Sequence, residues 1–127
     1  MDWTSQRMRR SSAIAQAATE PRHVLLILED FDELRALLAR HFVERGYEVF
    51  SSSTLRDALA IAWEEAPQMI IIDYSLRGED AMHVIERLHN AQPLSQIVLA
   101  ACPPEVEVEE QAIAAGASRV WLRSLPD

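Results

Sequence analysis

Apolar positions along the chain follow two alternating rhythms. Short unbroken apolar runs read as strands buried on both faces, and stretches with apolar residues three and four apart read as helices. The first strand is His23-Val24-Leu25-Leu26-Ile27-Leu28, with Glu29-Asp30 at its carboxyl end. A helix over residues 31–45 then carries Leu34, Leu37, Leu38, His41 and Phe42 at helical spacing. Asp30 is its expected N-cap, Glu33 three residues on suggests a capping box, and Gly46 is its stop. Residues 47–51 read as a second strand and 54–65 as a second helix, with Leu55, Ala58, Leu59 and Ala62 inward and Pro67 past its end. Met69-Ile70-Ile71-Ile72 is a third buried strand ending at Asp73. A loop over 74–79 turns at Gly78, and a helix over 80–90 carries Met82, Val84, Ile85 and Leu88. Residues 96–101 form a fourth strand, Pro103-Pro104 break the chain, and 105–115 form a fourth helix closed by Gly116. Val120-Trp121-Leu122 is the fifth strand.

Strands alternating with helices of about eleven residues predict βαβ units, hence an α/β fold with a parallel sheet. Right-handed crossovers place helices on both faces, giving three layers. Ligands of such sheets sit outside the carboxyl ends of the strands. The first strand ends there in Glu29-Asp30 and the third in Asp73, so three carboxylates converge on one crevice. Close carboxylates repel and raise one another's pKa, and a cation normally compensates. All twelve basic residues are Arg and none is Lys, which leaves a hard divalent ion such as Mg²⁺ (or Mn²⁺) as the natural candidate.

Length and charge narrow the picture further. At 127 residues the chain is one domain. It has no apolar run near the ~18 residues needed to cross a bilayer. Cys102 is the single cysteine, so no internal disulfide forms, and three glycines leave no room for a Gly-rich phosphate loop. A net charge of −8 argues against nucleic acid as a partner. The charge is uneven: Arg7, Arg9, Arg10 and Arg22 against Asp2 and Glu20 give residues 1–22 a charge of +2, leaving −10 for the rest. Residues 1–21 are set apart as an N-terminal extension, either a flexible leader or a helix over 5–19 with Met8, Ile14, Ala15 and Ala18 on one face. Residues 22–127 are the domain proper.

The spacing of the acidic pair and the later Asp, 43 residues apart, resembles the receiver domain of two-component response regulators. The resemblance spans residues 22 to about 124. It is carried by His23 to Phe31, by Ile70-Ile71-Ile72-Asp73-Tyr74-Ser75-Leu76, and by Gly116-Ala117-Ser118-Arg119-Val120-Trp121-Leu122-Arg123. It implies a doubly wound, flavodoxin-like five-stranded sheet of order 2-1-3-4-5. It also implies that Asp73 accepts a phosphoryl group from a histidine kinase or phosphotransfer protein. Glu29, Asp30, Asp73 and the backbone carbonyl of Ser75 would hold Mg²⁺. The chemistry follows from the parts: a carboxylate attacks phosphorus in line while a metal neutralises the equatorial oxygens.

Several positions depart from the family pattern. Ala100 stands where the family has Thr or Ser, Arg123 where it has Lys, Val120 where it has the aromatic switch residue, and Arg77 where it has Pro. Arg123 either meets the phosphate or neutralises the acidic cluster. Trp121 should point away from Val120, across the sheet. Family members end in a fifth helix, for which Ser124-Leu125-Pro126-Asp127 is too short. The face it would cover is expected to be covered by the N-terminal helix, by a second copy of the chain, or by a helix supplied elsewhere. The leading function is a single-domain receiver in a phosphorelay, cytoplasmic and not itself an enzyme beyond self-phosphorylation and autodephosphorylation at Asp73. The alternative is a phosphorylation-independent pseudo-receiver acting as an interaction or dimerisation module. An aspartyl-phosphate hydrolase ranks last, because Asp73-Tyr74-Ser75 lacks the second carboxylate of an Asp-x-Asp motif.

Overall fold

The computed structural model describes residues 23–102 and 105–122, with 101, 102 and 122 described in their backbone alone. The N-terminal extension, the Pro103-Pro104 break, the side chain of Cys102, Arg123 and the final residues lie outside the described residues. Among the described residues five strands and four helices alternate: β1 Val24–Leu28, α1 Asp32–Val43, β2 Glu48–Ser52, α2 Leu55–Glu65, β3 Met69–Asp73, α3 Ala81–Ala91, β4 Gln96–Cys102, α4 Val106–Ala115 and β5 Arg119–Leu122. All strand pairs are parallel, in the order β2-β1-β3-β4-β5.

The apolar runs are the centre of the sheet. Every residue of β1 is buried, as are Ile70, Ile71 and Ile72 of β3 and Ile97, Val98 and Leu99 of β4. Alternate side chains of these strands feed two cores, as the two-residue period of a strand requires. On one face Leu26, Leu28, Ile70, Ile72, Ile97 and Leu99 meet α2, α3 and α4 through Ala58, Ala62, Val84, Ile85, Leu88 and Ala112. On the other face Leu25, Ile27, Ile71 and Val98 pack with Leu38 and Phe42 of α1. The small Ala58 and Ala62 let α2 lie close on the strands. Val120 joins the first core, and Trp121 packs on the second with its ring stacked on Phe42 at 6.3 Å. The two β5 residues therefore face opposite sides, as alternation predicts.

Helix starts follow local chemistry with one correction. Thr54 caps α2 by accepting the Asp57 N–H at 3.2 Å, and Asp80 caps α3 by accepting the Met82 N–H at 3.0 Å. Asp30 does not cap α1. The N-cap position is Phe31, with no side-chain hydrogen bond, and Asp30 turns instead toward the loop after β3. A long-range partner has outcompeted the local one. Leu37 is a second departure: it is 51% exposed, because α1 faces the sheet chiefly through Leu38 and Phe42.

Candidate acidic metal centre

The site grows from the parallel register of β1, β3 and β4. Leu28 pairs with Ile72, so one step further the chain presents Glu29 beside Asp73. Asp73 in turn pairs with Ala100. The crossovers through α1, α2 and α3 place these strand ends side by side at the carboxyl edge. Glu29 is locked by its backbone: its N–H donates to the Ser52 carbonyl at 3.0 Å, and its own carbonyl accepts from Arg35 Nη1 at 3.0 Å. Arg35 Nη2 is held by Asp32 at 2.7 Å. The side chain of Glu29 is buried, Asp30 is half-buried, and Asp73 ends β3 with partial exposure.

One oxygen from each of Glu29, Asp30 and Asp73 lies within 4.8 Å of the others. At that separation each pair of charges repels by roughly 3 kcal/mol in a partly screened environment. Burial and the neighbouring Asp73 carboxyl push the Glu29 pKa up to about 8. Phe31 N–H donates to Glu29 Oε1 at 3.4 Å, but among the described residues no N–H or hydroxyl reaches Oε2. Asp73 is itself an acceptor when ionised, so it can bond Oε2 only while one of the pair carries a proton. The buried oxygen thus calls for either a proton or a cation. Asp30 is different: the Arg77 N–H donates to its Oδ2 at 3.0 Å and Arg77 Nε at 3.3 Å, and these bonds hold its carboxyl below the usual range. Three carboxylates that bring hard oxygens together, one of them with an unsatisfied buried oxygen, fit a hard divalent ion of the Mg²⁺ class.

The response regulator receiver domain profile matches residues 25–123. The chain belongs to that family. Receivers are signalling domains that bind Mg²⁺ through acidic residues, and in general they are not enzymes. Over 84 residues the receiver is 30% identical to the transcriptional regulatory protein AfsQ1 of Streptomyces coelicolor, a match covering 66% of this chain and 37% of that protein. Over 93 residues it is 24% identical to sporulation initiation phosphotransferase F of Bacillus subtilis, covering 73% of this chain and 75% of that one. Among solved structures, a Burkholderia pseudomallei response regulator with a phosphorylated aspartic acid, calcium ion and citrate superposes with a TM-score of 0.76 at 24% identity, over 81% of this chain and 61% of that one. The Vibrio cholerae chemotaxis protein CheY4 gives 0.77 at 18% identity, over 84% of this chain and 90% of that one. The flavodoxin-like order is therefore that of the receiver's neighbours.

The remaining candidate residues are placed as follows. Ser75 lies in the turn directly after β3. Ala100 is buried beside Asp73 with its carbonyl accepting the Tyr74 N–H at 3.1 Å. Val120 lies on the face of β5 that meets α2–α4, and Arg123 is outside the described residues. Two arginines that tie down the site, Arg35 and Arg77, carried no sequence signal of a contact with it. The i, i+3 spacing of Asp32 and Arg35 marks only the local half of one contact.

Proposed function

We propose that the chain is a phosphoryl-accepting receiver whose nucleophile is Asp73. Glu29, Asp30, Asp73 and the Ser75 carbonyl would hold the divalent ion, which supplies neutralisation of phosphoryl oxygens. The observation that carries this is the convergence of three carboxylates, with a buried oxygen of Glu29 left unsatisfied among the described residues. A histidine kinase or phosphotransfer protein is the donor, and residues 22–127 form the unit that meets it, in the cytoplasm. Asp73 sits at the end of a strand buried in the sheet, so its carboxylate is presented rigidly for in-line attack. Arg123, one residue past β5, is the basic partner proposed for the phosphoryl group. Ala100 offers no hydroxyl beside Asp73, and Val120 no aromatic ring, so acceptance is slow and readout does not use the hydroxyl-and-aromatic coupling.

The test is incubation with acetyl phosphate and Mg²⁺ followed by intact mass measurement. A base-labile gain of one phosphoryl group is expected, absent in Asp73→Asn and in the presence of a chelator. No mass gain in the wild type would leave the chain as an interaction module that uses the receiver fold without phosphorylation.

A further inference from the structure

Arg77 is bonded to Asp30 from 47 positions away in sequence, by its backbone N–H at 3.0 Å and its Nε at 3.3 Å, both on Oδ2. We propose that the Arg77 side chain is a built-in counter-cation of the acidic cluster, occupying Asp30 and lowering the affinity of the site for a divalent ion. The inference rests on the reading of Glu29, Asp30 and Asp73 as the ion site.

Three observations carry it. First, Asp30 is one of the three carboxylates that meet within 4.8 Å, and Arg77 engages that same side chain. An incoming dication must share Asp30 with a guanidinium or displace it, and like charges at such distances repel. Second, among the described residues the nearby Arg35 is committed elsewhere: it binds the Glu29 carbonyl and Asp32, neither of them a carboxylate of the cluster. Third, both donors come from this one residue, so the backbone N–H holds the loop in place while the guanidinium supplies the charge.

The size of the effect is set by exposure. The Arg77 side chain is 81% exposed, so its ion pair is screened and the guanidinium swings into water at little cost. The competition is accordingly modest, about two- to fivefold in ion affinity. It lets the site close on a partner cation in the absence of metal and open without a large barrier when the metal arrives.

The experiment is a titration of the full chain with Mg²⁺ alone, followed by amide chemical shifts of Asp30, Asp73 and Arg77, in the wild type and in Arg77→Ala, Arg77→Lys and Arg77→Pro. Arg87→Gln, on the exposed side of α3, controls for the change in net charge. Arg77→Ala should tighten Mg²⁺ binding about two- to fivefold. Arg77→Pro, which also removes the N–H, should tighten it at least as much. Arg77→Lys should stay within about twofold of wild type, and Arg87→Gln should match it, as expected for screened charges. An Arg77→Ala affinity equal to or weaker than wild type, with wild type binding normally, overturns the inference and leaves the ion site standing. No Mg²⁺ response at Asp30 or Asp73 in any of the proteins overturns both.

Discussion

Glu29→Gln is the most discriminating perturbation of the cluster. The folded Glu29 pKa, about 8, lies above its ordinary 4.5. The native state therefore keeps a proton that the unfolded chain has lost across that interval. Stability from this group is fully present below about pH 4.5 and is lost as pH rises through about 8. Between pH 5 and pH 8 that amounts to a loss of about 3 kcal/mol without metal. For a domain of this size the loss corresponds to roughly 10 °C in melting temperature. Gln is the isosteric copy of the protonated side chain and has no proton to lose. In a chelator, denaturant or thermal unfolding at pH 5, 6, 7 and 8 should show wild-type stability falling with pH, and Glu29→Gln should lack that component. The two curves should separate progressively, with the variant the more stable at pH 8. Mg²⁺ should then restore the wild type at pH 8 and do little for Glu29→Gln. Parallel curves, or a wild type whose stability climbs from pH 5 to pH 8 relative to the variant, would refute the account of a buried, proton-hungry carboxylate.

Three further predictions concern other positions. Ala66 closes α2 in the left-handed region (φ 45°), so Ala66→Gly should stabilise the chain by about 0.5–1 kcal/mol, read as a rise in denaturant midpoint at constant slope. Gly116 has φ 126° and a Cβ there would approach His89 Cγ to 2.7 Å, so Gly116→Ala should cost about 2 kcal/mol or more. Adding His89→Ala removes Cγ and Cδ2 but keeps Cβ at 2.9 Å, so it should recover only part of the steric cost, read as a favourable coupling in a double-mutant cycle. Ala100→Thr puts a hydroxyl beside Asp73 and should speed acetyl phosphate-driven phosphorylation at least about tenfold by time-resolved mass measurement. An unchanged rate in a folded Ala100→Thr protein would remove Ala100 from the account of slow chemistry.

Much of the architecture is legible in the chain itself. Unbroken apolar runs at residues 24–28 and 69–72 can satisfy their side chains only between two layers, and the intervening helical periods supply those layers. Parallel connectivity then carries Glu29, Asp30 and Asp73 to one edge, because every strand of a βαβ series ends on the same side. Thr54 and Asp80, the first residues of the helical stretches read at 54–65 and 80–90, act as their caps, since a cap needs only an N–H two or three residues away.

What the linear pattern left undetermined depends on partners far apart in sequence. Asp30 has the makings of a local cap, yet the fold brings it to the Arg77 N–H, and the charge-assisted long-range bonds win. Leu37 sits at helical spacing with Leu34 and Leu38, but α1 settles with Leu38 and Phe42 against the sheet and leaves Leu37 in water. The raised pKa of Glu29 and its unsatisfied oxygen come from burial beside Asp73, a neighbour only because β1 and β3 pair. Local propensity and period determine elements because they act over a few residues. The protonation, partners and cation demand of the carboxylates are decided by the tertiary structure, which alone sets their desolvation and the distances between charges.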